Sequence, residues 1–475
     1  MLNTETKFMK IAFHGAARTV TGSKHLLTLK SGRKVLLDCG MFQGMGDRTD
    51  SLNRNFGFEP TEVDAMILSH AHVDHCGLIP KLVKDGFLGK IYCTPATREL
   101  TQVLLMDSAE IQQDEVKYAN KRRMGQPAGF TEPLYTVDDA KKCFDHFVEV
   151  DYNTTFEVID GVKAQFTDAG HIIGSACVHV DVTEGGKPTR LTFSGDVGRY
   201  RDVILRSPST FRQADYIVLE STYGNSLHDH AVTTPDSLLE WINKVCIGRK
   251  GKLIFPAFSV GRTQELLFAL NQLEVENRLP DLDYFVDSPL SIEATEVVKH
   301  YPNYFNKTIQ RIMQSDQDPF SFRGLKYVKT VDQSKSLNFT NGPMVIISAS
   351  GMAEAGRVKH HISNNVENSR NAIVMTGYCE PHSLGARLMS GVKQVNIFGV
   401  EHEVHAEIGG IRSMSAHGDY EDLTQWLGCQ DPRQIRQLFL VHGEYPVQQD
   451  FKRRLVARGF LDVQVPEQHF EIGLP

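Results

Sequence analysis

One hexapeptide constrains this chain more than any other feature. His70-Ala71-His72-Val73-Asp74-His75 packs three imidazoles and a carboxylate into six residues, directly after the apolar run Ala65-Met66-Ile67-Leu68. A short apolar run bounded by polar residues reads as a buried strand. The hexapeptide then sits at a strand's end, where neighbouring side chains can splay toward two cations as a straight strand would not allow. Neutral imidazole nitrogen and carboxylate oxygen are good ligands for zinc-like ions. The segment therefore predicts the seed of a dinuclear metal site.

Other strand ends carry matching chemistry. Ala169-Gly170-His171 follows a strand ending at Thr167, and Ser194-Gly195-Asp196 follows one ending at Ser194. Glycine beside each ligand candidate lets the backbone come close enough to turn the side chain toward a shared cation. In Val35-Leu36-Leu37-Asp38-Cys39-Gly40 the carboxylate of Asp38 is placed to orient a ligating histidine from behind, as metal-bound imidazoles generally require. Taken singly, His171, Asp196 and Asp38 also suit capping or turn positions. Their shared strand-end setting joins them to the hexapeptide.

At 475 residues the chain exceeds the size at which one core stops growing, so two domains are expected. No apolar run approaches the roughly 20 residues that cross a bilayer, so no membrane partner is expected. The start of the sequence lacks a basic stretch followed by an apolar core, which makes the cytoplasm the expected compartment. Eight cysteines without a Cys-x-x-Cys pair argue against a zinc ribbon and a disulfide framework, and predict buried thiols. The formal charge of −7 means that any contact with a phosphate backbone must use local patches or the metals themselves. Lys121-Arg122-Arg123 is one such patch, although a run this short equally suits a solvated helix end.

Short apolar runs at 10–14, 26–29, 35–38, 65–69 and 91–94 predict strands, and 97–124, without Gly or Pro before its end, predicts helix. Strands resume at 162–167, 177–182 and 191–194, with 184–188 as a turn. From residue 216 strand and helix alternate: strands at 216–219, 252–255, 284–286, 344–348 and 372–375, helices at 234–245 and 263–273. Such alternation predicts a parallel sheet covered by helices. Residues 332–343 are expected to be a loose loop. A last strand, 437–441, ends on His442 and leads into a helix through Ala457.

In order and spacing, Asp38, His70-x-His72-x-Asp74-His75, His171 and Asp196 resemble the metallo-β-lactamase superfamily. The resemblance implies an α/β fold, an αββα sandwich with two metals at one edge of the sheets. By position it assigns His70, His72 and His171 to one zinc and Asp74 and His75 to the other, with Asp196 bridging. Three further motifs, Leu219-Glu220-Ser221-Thr222-Tyr223-Gly224, Ser415-Ala416-His417-Gly418-Asp419 and Val441-His442-Gly443-Glu444, are similar to those of the β-CASP nucleases within that superfamily. This implies that His442 completes the second zinc site and that His417, partnered by Glu220, stands near the scissile phosphate. Asp74 is also a candidate acceptor of the water's proton. A histidine at the third motif favours RNA over DNA.

The same resemblance implies a β-CASP α/β domain, 225–412, inserted into a metallo-β-lactamase domain made of 1–224 and 413–475, with the RNA strand held in the cleft between them. The chain looks like the compact bacterial and archaeal ribonucleases related to the cleavage subunit of pre-mRNA 3′-end processing, and is expected to lack KH domains. Ser350, Gly351 and Arg357, in a small-residue loop that opens a helix, are candidate RNA contacts. Tight strand-to-helix packing asks for the same residue types. The loop 377–385 departs from the family pattern at Cys379, Pro381 and His382, and His382 is expected at the surface. The expected activity is hydrolysis of single-stranded RNA by two Zn2+ ions, endonucleolytic, leaving 5′-phosphate and 3′-hydroxyl. A 5′-to-3′ exoribonuclease and a small thioester or lactone hydrolase are the alternatives, and a homodimer is a candidate assembly.

Overall fold

A computed structural model describes residues 8–122, 131–184, 186, 188–228, 234–377, 379–411 and 413–475. Arg123 of the basic run, the end of the expected helix at Met124, Gly185 and Lys187 of the expected turn, Tyr378 and Arg412 lie outside the described residues. The chain forms two compact units: Met1–Tyr200 with Ser207–Leu227 and His417–Pro475, and Arg201–Arg206 with His228–Ala416.

Among the described residues, the first unit contains two seven-stranded sheets. One runs in space Phe470–Leu474, Met9–Gly15, Lys24–Thr28, Lys34–Leu37, Ala65–Ile67, Lys90–Cys93, Phe147–Glu149. The other runs Val463–Gln464, Gln437–Val441, Tyr216–Glu220, Thr189–Phe193, Ala176–Val182, Val162–Asp168, Thr155–Ile159. Side chains alternate between faces with a period of two. In Tyr216–Glu220, Tyr216 and Val218 point between the sheets to meet Phe13, Leu37, Phe166 and Phe439. Ile217 and Leu219 point outward and meet Leu423 and Trp426 of helix Tyr420–Leu427 and Phe451 and Leu455 of helix Tyr445–Ala457. On the first sheet, Leu36, Met66 and Ile91 likewise meet Leu82 and Leu105 of helices Ile79–Lys84 and Pro95–Arg122. Both faces of each sheet are thus covered, which is why these strands read as unbroken apolar runs. This is the expected αββα sandwich.

Parallel pairing sets the site. Lys34–Leu37 and Ala65–Ile67 run parallel, as do Thr189–Phe193, Tyr216–Glu220 and Gln437–Val441. The carboxyl ends of neighbouring strands therefore fall at one edge of each sheet. Those ends carry Asp38, His70, Asp196, Glu220 and His442.

The second unit holds a six-stranded parallel sheet in the order Leu325–Tyr327, Asp283–Val286, Met344–Ser348, Lys252–Pro256, Ala372–Met375, Glu407–Gly410. The expected loop at 332–343 is corrected: Val331–Phe339 is a helix. Thr330 accepts from the Gln333 amide and the Gln333 side chain returns to the Thr330 amide, a capping box that satisfies two orphan donors, while Ser334 and Leu337 are buried. The signal was Thr-x-x-Gln ahead of a mostly polar helix.

That helix supplies one donor to a buried carboxylate. Asp287, fully buried after strand Asp283–Val286, accepts from Ser334 Oγ at 2.5 Å and Arg357 at 2.6 Å, and lies 2.6 Å from His361 Nε2. Burial alone would raise its pKa, but the contacts with His361, Ser334 and Arg357 outweigh it and hold the carboxyl below its ordinary range. Asp287→Ala should destabilise the protein by about 3–5 kcal/mol in urea unfolding, because it strands the Arg357 charge. A depressed folded-state pKa stabilises above the unfolded value of about 3.9, and that stabilisation is lost as pH falls through the folded value. The parent should therefore lose stability on that acid limb, and the variant should lack this component of the loss.

Candidate metal centre

The turn that carries the hexapeptide is built by its neighbours. Ile67 ends the strand, and Val73–Cys76 makes a single helical turn. Three carbonyls of that turn are received by a cradle: Val73 O by the Met41 amide at 3.0 Å, Asp74 O by Ser23 at 2.8 Å, His75 O by Cys39 at 2.8 Å. Gly40 is required here, since a Cβ would lie 1.6 Å from Asp74 O. Beneath the cradle, the wholly buried Lys24 ammonium donates to Gly22 O at 2.9 Å and Gly40 O at 2.7 Å and sits 4.2 Å from the centre of the Phe42 ring. Burial pulls its pKa down to about 8.

Asp38 and His442 adopt left-handed backbone, with φ of 59° and 48°. Such angles are costly for residues with a Cβ and are held by surrounding contacts. At Asp38 one oxygen accepts from the Ser69 amide at 2.8 Å, and the other accepts from Ser69 Oγ at 2.9 Å and lies 2.6 Å from His75 Nδ1. His75 is thereby oriented with Nε2 toward Asp196, 3.3 Å from its Oδ2. His442 is braced through Nδ1, 3.0 Å from Thr222 Oγ1, and its Nε2 lies 3.2 Å from Asp74 Oδ2.

The remaining nitrogens converge. His72 Nδ1 lies 3.1 Å from His70 Nε2 and 3.0 Å from His171 Nε2. Asp196 Oδ2 is 3.4 Å from His70 Nε2 and 3.6 Å from His171 Nε2, and Oδ1 is 3.6 Å from His442 Nδ1. Two clusters result, His70, His72, His171 with Asp196, and Asp74, His75, His442, and Asp196 also falls within a third with Glu220, His417 and His442. Burial holds His70 down to about 3 and His72 to about 4, and keeps His171 well below the ordinary histidine range, so all three are neutral near pH 7. Asp196, despite its burial, is held strongly ionised by His442, His75 and His417.

This donor set fits a metal. A tetrahedral ion about 2.0–2.1 Å from each nitrogen would hold two such nitrogens roughly 3.3 Å apart, close to the spacings found. Buried polar atoms are normally hydrogen-bonded, yet His75 Nε2, His171 Nδ1 and Asp196 Oδ1 are buried without a hydrogen-bond partner. His75 Nε2 and Asp196 Oδ1 border the clusters.

His417 stands at the rim with Nδ1 3.0 Å from Glu220 Oε1. Glu220, fully buried, also accepts from the amides of Val197 at 2.8 Å and Thr222 at 3.2 Å. Burial opposes charge on His417, but Glu220 and then Asp196 raise its pKa to about 9. The side chains of Asp74 and His417 are 21% and 17% exposed, against 4% or less for His70, His75, His171, Asp196 and His442, so these two can meet a substrate.

All of Asp38, His70, His72, Asp74, His75, His171, Asp196, Glu220, His417 and His442 therefore come together in the first unit. Ser350, Gly351 and Arg357 belong to the second unit. The Arg357 guanidinium is engaged with Asp287 and the carbonyls of Val328 and Lys329, and a Cβ on Gly351 would lie 2.6 Å from the Phe258 ring. His382 is exposed, as expected. Six of the eight thiols are buried. Ser23, Lys24 and Ser69 belong to no motif in the sequence, where polar residues interrupting or ending apolar strands are the available sign.

Residues 25–256 match the metallo-beta-lactamase superfamily, 263–388 the Beta-Casp domain and 401–466 the Zn-dependent metallo-hydrolase RNA specificity domain. The chain is 35% identical over 467 residues to Ribonuclease TTHA0252 of Thermus thermophilus, covering 98% of this chain and 100% of that protein. It is 28% identical to Transcription termination factor FttA of Methanococcus maripaludis over 93% of this chain and 68% of that one. A crystal structure of a protein of unknown function from Enterococcus faecalis is similar in fold, with a TM-score of 0.52 and 11% identity over 98% of this chain and 100% of that one. No helix among the described residues is long and apolar enough to cross a membrane. The chain belongs to the metallo-β-lactamase superfamily, in its β-CASP ribonuclease branch, and is a metal-dependent hydrolase.

Proposed function

We propose that this protein is a two-zinc ribonuclease that hydrolyses internal phosphodiester bonds of single-stranded RNA, leaving 5′-phosphate and 3′-hydroxyl ends. The observation that carries the reading is the His417–Glu220 pair, 3.0 Å apart, beside Asp196 at the rim of the clustered ligands. In this reading His70, His72 and His171 hold one ion and Asp74, His75 and His442 the other. Asp196, with oxygens near nitrogens of both groups, would be the carboxylate available to either. Bound there, the cations supply a water acidified toward neutrality and stabilise charge on the phosphoryl oxygens.

The chain's own groups do the rest. In the reaction, water oxygen bonds to phosphorus as the bond from phosphorus to the 3′-oxygen breaks, and the departing oxygen needs a proton. His417, whose Nδ1 is committed to the Glu220 carboxylate, delivers it from Nε2. Asp74, partly exposed beside His442, is the candidate acceptor for the water's proton. Residues 1–224 and 413–475 would form the catalytic fold and 225–412 the inserted domain, with Arg201–Arg206 grouped in the unit that holds most of the latter.

The test is digestion of end-labelled linear RNA alongside a circular RNA of the same sequence. Cutting of both, with 5′-phosphate on the products, is expected. Intact circles with mononucleotides released from linear RNA would replace the endonuclease with a 5′-to-3′ exonuclease. Turnover of a thioester or lactone with none of RNA would overturn the reading.

A further inference from the structure

A chain of net charge −7 must concentrate its cations locally to hold an RNA strand. Segments 201–206 and 299–311 carry Arg201, Arg206, Lys299, Lys307 and Arg311 against one carboxylate, Asp202. Both segments lie in the second unit and are joined to each other. Leu205 bridges Phe305 antiparallel, the Asn306 amide donates to Ile204 O at 2.8 Å, and Asn306 Nδ2 donates to Asp202 O at 3.1 Å.

One of these cations and the carboxylate are engaged elsewhere. Lys299 is neutralised by Glu296 and Asp318 at 3.0 and 2.8 Å, and Asp202 Oδ1 is turned onto the amides of Ile204 and Leu205. Arg201, Lys307 and Arg311 are exposed and have no carboxylate partner among the described residues. Lys307 and Arg311, four apart in the helix Lys307–Ile312, share one face.

Aromatic groups are interleaved with these cations. The 3-10 turn Pro302–Tyr304 eclipses residues three apart, so Tyr301 and Tyr304 stack with ring centres 5.5 Å apart and planes at 26°. The Arg206 guanidinium lies 5.5 Å from the centre of the Tyr304 ring, and its Nε donates to Tyr304 O at 3.3 Å. Tyr304 thus has the Tyr301 ring and the Arg206 guanidinium beside it, on joined segments that also carry Arg201, Lys307 and Arg311. Stacking faces beside a cationic track are what a single-stranded nucleic acid requires.

We propose that Tyr301, Tyr304 and Arg206, with Arg201, Lys307 and Arg311, form an accessory platform for single-stranded RNA, separate from the metal centre's ligands. Bases stack against the ring cluster and phosphates meet the cations of the two segments. The assignment rests on the ribonuclease reading above.

The test is steady-state cleavage by the full-length protein of an oligouridylate of about 15 nucleotides, with photocrosslinking of a 4-thiouridine version. Tyr301→Ala/Tyr304→Ala should raise KM about tenfold or more with kcat within about twofold, whereas Tyr301→Phe/Tyr304→Phe should keep the parental KM. Arg201→Ala/Lys307→Ala should lower the slope of log KM against log salt by about 1.4. Crosslinks should map to 299–311. Unchanged KM in both alanine pairs, crosslinks confined elsewhere, or equal losses in the phenylalanine and alanine pairs would overturn the platform. A parent that neither cleaves nor crosslinks RNA would instead bring down the ribonuclease reading itself.

Discussion

His417→Ala should cut RNA at least about a hundredfold more slowly than the parent while retaining its full complement of metal. The two effects separate because His417 reaches the ligand cluster only at its edge, 3.9 Å from Asp196, and spends Nδ1 on Glu220. On the proposed mechanism, removing the ring would take away the proton for the departing 3′-oxygen and leave the candidate ligands His70, His72, His171, Asp74, His75 and His442 in place. Kinetics with parallel metal analysis checks this. Metal loss alongside activity loss would make His417 a ligand rather than a proton donor. Glu220→Gln should act in the same direction, since Glu220 holds the ring and favours its protonated form.

Asp196→Ala should abolish both metal binding and cleavage. One Asp196 oxygen lies 3.3–3.6 Å from nitrogens of His75, His70 and His171, and the other 3.6 Å from His442. Among the described residues, Asp196 groups both with His70, His72 and His171 and with His417 and His442, and a neutral alanine leaves that position without charge. Metal content per chain should fall toward zero, with cleavage at background. Retention of two ions by Asp196→Ala would show that the carboxylate is not shared.

The sequence made the catalytic fold legible because its signals are local. Runs such as Ile217-Val218-Leu219 are apolar on both faces, and the ligands stand where those runs stop. The hexapeptide alone left lactones, thioesters and phosphodiesters open; Glu220, His417 and His442 narrowed them. Less legible were groups whose role exists only in three dimensions. Lys24 reads as an ordinary polar residue in a strand, yet its buried ammonium ties two carbonyls under the Asp74 turn. Arg357 is a candidate RNA contact because it opens a helix after a small-residue loop; its engagement with Asp287, seventy positions earlier, has no sign in the sequence. The helix Val331–Phe339 is faint in the sequence because its end is fixed by a capping box rather than its face by an apolar stripe.

RNA hydrolysis by this protein should depend on two metal ions held by these candidate ligands. Titration of zinc into the stripped protein, while cleavage of uniformly labelled single-stranded RNA is followed, measures that dependence. Activity should be absent without metal and should reach its plateau at two equivalents per chain. A plateau at one equivalent, or undiminished cleavage by the stripped protein, would contradict it.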